Sequence, residues 1–497
     1  MKRFAAVCLA AVCMLGMFSG CGRNTAIEEP AIIAHMPGVT DNMYDASYWT
    51  SKIKEPDTVL MTAEEIALFN EQTVTNSDGE IVDLVGYASS VTGTQLKRWL
   101  GDAQLPGADL YAADGSMYSE SFFDELVVSV NAEGVAESNK VSYAITADNT
   151  PVRLFPTRSA AYEDAQVRDV DVFQQGMLLV GEPVAVLYMN AGHDWVYIQS
   201  ENQRGWVEMS DLIFMEKGSW VSYQEETTFL MVTAPSIRLE DDPYNPALSG
   251  KVLYMGTRLP LYNDETVGAE LNGRSSAGCY VVKFPTLNSF GYLEYQPVLI
   301  PISRDVHVGY MDYTAANVIE QTLSLVGARS RANRLGGGRD NAAFIVDIYR
   351  VFGIRMPVTT AEQKKLTAAD TDMASQSTNE RLKTLKDALP GSLVFSGDTA
   401  FIYLGMEEDV PYVAAPIGDY YYDSMAHRAN ACILTSLEIV RKDGTTFLDS
   451  LRTLKTFSVV SGQEDVKQDD DERSDEDDIK TTAQATTAAS GGEEDAE

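Results

Sequence analysis

The stretch Arg339-Asp340-Asn341-Ala342-Ala343-Phe344-Ile345-Val346-Asp347 carries the deciding pattern of this chain. Asp340 or Asn341 suits a helix N-cap, because a short side-chain oxygen accepts a main-chain N–H that the first turn leaves unpaired. Phe344, Ile345, Ile348, Tyr349 and Phe352 then recur at helical spacing until Gly353 ends the run. Further back, Val318, Ile319, Leu323 and Val326 mark an earlier helix within Thr314 to Val326, which Gly327 stops. Beyond Pro357 the pattern turns to strands around 391–395, 400–404 and 412–414. Two helices followed by a sheet define a last folded domain at about 304–463.

Upstream, short apolar runs at 184–188, 195–198 and 205–207 alternate with turn residues at the spacing of a small barrel. An SH3-like barrel is expected over 151–217. The runs 229–232, 251–254 and 279–282 predict a second over 218–303. Residues 36–150 read as a mixed N-terminal domain, in which Thr62 and Glu65 form a capping box ahead of a helix. The expected fold class is therefore α+β and multidomain, as 497 residues with 45% apolar content require more than one core.

The two ends are of another character. Lys2 and Arg3 precede an apolar run from Phe4 to Phe18, too short for a membrane span, and Ser19-Gly20-Cys21 follow. This predicts a secretion signal over 1–20 and a linker over 21–35. At the other end, residues 464–497 hold 14 acidic and 3 basic residues, a net of −11, without an aromatic residue. Such a segment buries too little apolar surface to offset its ordering entropy, so a disordered acidic tail is expected.

A formal net charge of −35 repels phosphate backbones and argues against nucleic acid as a partner. Five cysteines fall at 8, 13, 21, 279 and 432. With two in the signal, no disulfide framework is expected, and Cys279 and Cys432 read as small buried hydrophobes. The four histidines, at 35, 193, 307 and 427, show no metal-ligand spacing, and the Gly336-Gly337-Gly338 run lacks the Lys-Ser/Thr of a phosphate loop. Neither metal nor cofactor is expected.

The segments Arg339-Asp340, Phe344, Asp347, Phe352-Gly353-Ile354, Pro357, Gln363, Pro390-Gly391 and Tyr403-Leu404-Gly405 resemble the NlpC/p60-type cysteine endopeptidases. These are papain-like enzymes that cut peptidoglycan stem peptides between D-glutamate and the following diamino acid. The resemblance covers nearly the whole mature chain, since one lipoprotein subgroup has an N-terminal stabilising domain, two bacterial SH3-like domains and the peptidase domain in this order. Ser19-Gly20-Cys21 is similar to a bacterial lipobox, which implies lipidation of Cys21 and anchoring outside the cytoplasm.

Where the family has Arg-Asp-Cys-Ser, this chain has Arg339-Asp340-Asn341-Ala342, so the resemblance puts Asn341 at the nucleophile position. The family's base histidine maps to Thr399, or to Asp398 with a shift of one, and the orienting residue to Ala414. A cysteine peptidase needs a thiolate beside a base and a group that orients that base. None of these three positions supplies one, so no functional catalytic residue is predicted. The family's Tyr-x-Trp-Gly-Gly approach loop is matched only by Asn333-Arg334-Leu335-Gly336-Gly337.

The expectation is an inactive, lipid-anchored protein that binds muropeptides or regulates wall turnover, with Arg339, Asp340, Trp195 and Trp206 as candidate ligand contacts. A protein-interaction scaffold of the envelope is the alternative that involves another envelope protein. An active γ-D-glutamyl-diamino acid endopeptidase follows from the family resemblance alone. The expected location is the extracytoplasmic face of the cell membrane, or the outer membrane where the envelope has two.

Overall fold

Residues 34–77, 79–103, 109–263, 268–397 and 399–457 are described by the computed structural model. The expected signal 1–20, Cys21, nearly all of the linker 21–35, Asp398 and the acidic tail 464–497 lie outside them.

Helix α1 (Ala63–Asn76) starts with the predicted capping box: the Thr62 hydroxyl accepts from the Glu65 N–H and the Glu65 carboxylate accepts from the Thr62 N–H. Its Ile66 is buried together with Trp49, Met61 and the apolar residues of the C-terminal domain. Strand Val59–Met61 pairs antiparallel with Tyr313–Thr314. By contrast Leu84, Leu96, Trp99 and Leu126 are buried against the first barrel. The described apolar residues of 36–150 are thus divided between two clusters, each shared with a neighbouring module. The short helices of this span offer narrow apolar stripes, which gain most by covering the larger apolar faces of the neighbouring modules.

The first barrel is a seven-stranded antiparallel sheet. In spatial order its strands are Leu212–Met215, Ser142–Thr146, Pro183–Met189, Trp195–Gln199, Arg204–Glu208, Thr150–Arg153 and Gln174–Leu178. It opens at Ser142 rather than at the expected 151, because Ser142–Thr146 pairs on both sides and joins the last strand to the middle of the sheet.

The second module is less regular. Phe229–Val232 pairs with Arg258–Pro260 and Val306–Val308, while Cys279–Leu287 and Leu293–Pro301 form a separate long hairpin. Leu230, Ile237, Leu253, Phe284 and Ile300 still share one core. Val306–Val308 carries this module past the expected boundary at 303.

The C-terminal domain contains α2 (Ala315–Ser324), α3 (Asn341–Arg350) and a six-stranded sheet of β1 (Ala369–Asp372), β2 (Leu393–Ser396), β3 (Thr399–Glu407), β4 (Val410–Tyr422), β5 (Met425–Ser436) and β6 (Thr453–Thr456). The spatial order is β1-β6-β2-β3-β4-β5, antiparallel throughout. Alternation along β3 sorts its side chains onto two faces. Ala400, Ile402 and Leu404 join the core of α3, whereas Phe401 and Tyr403 pack with Leu385 of helix Thr378–Asp387 on the opposite face. The sheet is thus covered on both sides, with α3 lying over β3 and β4.

Candidate functional site

The N-terminus of α3 is held from several directions. Asp340 is its N-cap: Oδ1 accepts from the Ala343 N–H at 2.8 Å and Oδ2 accepts from the Asn333 N–H at 2.7 Å. One carboxylate therefore ties the preceding loop to the first turn. Asn333 and Arg334 in that loop both have positive φ, 51° and 58°. Backbone of this kind is held against its own preference by the surrounding contacts. Here Asn333 exchanges hydrogen bonds with Gln174 of the first barrel, Nδ2 to the Gln174 carbonyl at 2.6 Å and Gln174 Nε2 to the Asn333 carbonyl at 2.8 Å.

Beneath the loop lies a buried charge cluster. Arg334 and Arg339 both donate to the Asp347 carboxylate, which is wholly buried, and Arg339 Nη2 also reaches the Pro235 carbonyl of the second module at 2.8 Å. Burial alone raises the Asp347 carboxyl. The Arg334 and Arg339 guanidiniums outweigh it and hold the group below its usual range. The arrangement fixes loop, helix and second module to one another.

Asn341 is the first residue of α3. Its Nδ2 donates to the Ala400 carbonyl at 2.8 Å and its Oδ1 accepts from the Ala400 N–H at 2.5 Å. The amide thus pairs with the edge of β3 much as another strand would. Both its polar groups are occupied, and it offers neither a nucleophile nor a proton acceptor. The position mapped as nucleophile and the strand mapped for the base are therefore adjacent, as the sequence implies, and joined by a structural clamp.

The described residues around it supply no substitute. Thr399 opens β3, and alternation puts it on the face of Phe401 and Tyr403, away from α3. Ala414 pairs with Ile402 and is buried under α3. One step nearer the helix N-terminus the helix-facing positions are Ala400, Pro416 and, opposite Pro416, Cys432. Burial pushes the Cys432 thiol far up, and the nearby Arg339 offsets only part of this, so the thiol stays protonated and inert at neutral pH. His427 lies in the exposed half of the β4–β5 hairpin, stacked on Tyr420. His35, His193 and His307 sit at the N-terminal leader, the first barrel and the second module. Among the described residues no group of three or more His, Cys, Asp or Glu is placed to hold a metal ion.

Three expected ligand contacts are corrected by burial. Trp206 is 1% exposed, ring against Tyr197, and Trp195 is 7% exposed; both lie on the sheet face that Leu96, Trp99 and Leu126 cover, opposite the barrel interior of Val152, Val196, Ile198 and Val207. Their aromatic area stabilises the barrel. Arg339 is consumed by Asp347, and Asp340 spends both oxygens on the main chain. What sequence reasoning missed is the Gln174–Asn333 exchange and the loop arginines Arg329 and Arg331. Arg329 is largely exposed and lies 3.2 Å from Asp169 of the first barrel. The signal was present as a run of basic residues in a strongly acidic chain.

Residues 156–208 match the SH3 domain family of SH3b1 type. The solved structure of an NlpC/P60 endopeptidase from Photobacterium damselae subsp. piscicida is similar over 83% of this chain and 96% of that one, at 16% identity and a TM-score of 0.66. An NlpC/P60 family protein from Bacillus cereus ATCC 10987 aligns over 64% of this chain and 99% of its own, at 16% identity and a TM-score of 0.42. No curated protein sequence matches the chain significantly.

Proposed function

Starting from an NlpC/P60-type fold with an SH3b-type barrel, we propose that this protein binds peptidoglycan stem peptides without cleaving them, as a lipid-anchored, extracytoplasmic regulator of cell-wall turnover. The cell-wall relation rests on the fold and the SH3b match. The absence of cleavage rests on one observation: the Asn341 amide is hydrogen-bonded through both its polar groups to the main chain of Ala400. Nucleophile and base act as a unit, and losing both removes the chemical step, whereas binding uses partly different groups. Arg329 and Arg331, on the loop entering α3, provide positive charge for the carboxylates of a stem peptide. Anchoring rests on the lipobox-like Ser19-Gly20-Cys21. Acyl chains there contribute about 0.8 kcal/mol per buried methylene.

Calorimetric titration of the purified protein with defined muropeptides tests the binding. Saturable binding with a micromolar-range Kd, a free energy of about −8 kcal/mol, is the expected result. No heat with any stem peptide would leave the protein-interaction scaffold as the better reading.

A further inference from the structure

A cavity of about 460 Å³ lies where α1, the first barrel, the second module and the C-terminal end of α3 meet. It is at the opposite end of α3 from Asn341: Arg350, the last residue of the helix, lines it. Its volume falls in the range of small-molecule sites. Met61, Ile66, Leu179, Met231, Phe352 and Ile354 provide apolar wall.

The wall holds three bases, Arg258, Arg350 and Arg355, and three acids, Glu182, Glu201 and Asp312, but the pairing among them is incomplete. Arg350 pairs with Glu182 at 3.2 Å and Arg355 with Glu201 at 2.9 Å. Arg258 also lines the cavity. Its guanidinium donates to the Gln224 and Glu226 carbonyls and lies over the Phe229 ring, 4.2 Å from the centroid. Among the described residues no carboxylate is within ion-pair distance of it, and its buried Nε has no hydrogen-bond partner. Asp312 also lines the cavity and is exposed. A partly buried cation without a counter-charge is costly in an apolar setting, and an anion entering the cavity would remove that cost.

We propose that this cavity is a binding site for an aliphatic carboxylate, with the carboxylate directed to Arg258 and the chain against the apolar wall. The site is separate from α3's N-terminus, so the proposal stands or falls independently of muropeptide binding.

The test is calorimetry of the full-length protein with decanoate below its micellar concentration and with decanol as the uncharged counterpart. One-to-one saturable binding of decanoate is expected, with decanol at least about tenfold weaker for loss of the charge-assisted contact. Two variants locate the site. Arg258→Gln should weaken decanoate about tenfold. Ala67→Trp, on the outer surface of α1 at the cavity wall, should block entry while circular dichroism stays unchanged. Equal affinity for decanol, unaltered decanoate binding in both variants, or no saturable binding by the parent protein would each overturn the proposal.

Discussion

The side chain of Asn341 and the main chain of Ala400 exchange two hydrogen bonds, 2.8 Å and 2.5 Å long, across the gap between α3 and β3. Where a peptidase of this fold needs a reactive pair, this chain has a structural bond between its helix and its sheet. Replacing Asn341 by Ala leaves the Ala400 N–H and carbonyl without partners. A loss of about 1–3 kcal/mol is expected. Denaturant unfolding followed by near-ultraviolet circular dichroism measures it, and an unchanged midpoint would show that the clamp has no structural weight.

A thiol placed at position 341 is expected to create no peptidase. Asn341→Cys is expected to hydrolyse no muropeptide, because none of the described residues facing α3's N-terminus accepts a proton near neutral pH. The helix N-terminus by itself favours thiolate there, so alkylation by iodoacetamide is expected without any muropeptide hydrolysis. Hydrolysis by this variant would reveal a base.

Asp347 couples the stability of the domain to acid. Its folded pKa is held below the ordinary value of 3.8. A depressed carboxyl contributes stability that is fully present above the unfolded pKa and is lost as pH falls through the folded one. The parent protein should therefore lose stability steeply below about pH 4, while Asp347→Asn shows a shallower dependence there. At neutral pH the same substitution strands two buried guanidiniums and should cost about 3–5 kcal/mol. Thermal unfolding over a pH series separates the two effects.

Trp206 carries the first barrel rather than a ligand. Trp206→Ala should cost about 3–5 kcal/mol through the cavity it leaves. Intrinsic fluorescence during urea unfolding reports it. A folded variant of unchanged stability but weaker muropeptide affinity would return Trp206 to the binding surface.

Anchoring is tested at Cys21. The parent protein, expressed in a bacterial host, should sediment with membranes, and Cys21→Ser should appear in the soluble extracytoplasmic fraction. Equal distribution of the two would contradict lipidation at this residue.

The helices around the site were legible because their signals are local: Thr62 caps as its sequence predicts, and of the two candidates for α3, Asp340 is the cap. Burial was less legible. Nothing in the Trp-x-Tyr-Ile pattern around Trp195 states that the face opposite the barrel interior is itself covered, and the residues that cover it, Leu96, Trp99 and Leu126, lie far away in sequence. Strand β4 was expected only at 412–414, yet it runs from Val410 to Tyr422. Its outer half is exposed on both faces and lacks the alternation that marks a half-buried strand. The Gln174–Asn333 exchange joins residues 159 positions apart, a relation that pattern reading along the chain does not reach.

The most direct test of the account is mass analysis of a defined muropeptide after prolonged incubation with the purified full-length protein. Quantitative recovery of the intact muropeptide, in a sample where titration shows it bound, is the predicted result. Release of a fragment cut after the D-glutamyl residue, abolished by mutation of this protein's own residues, would contradict it.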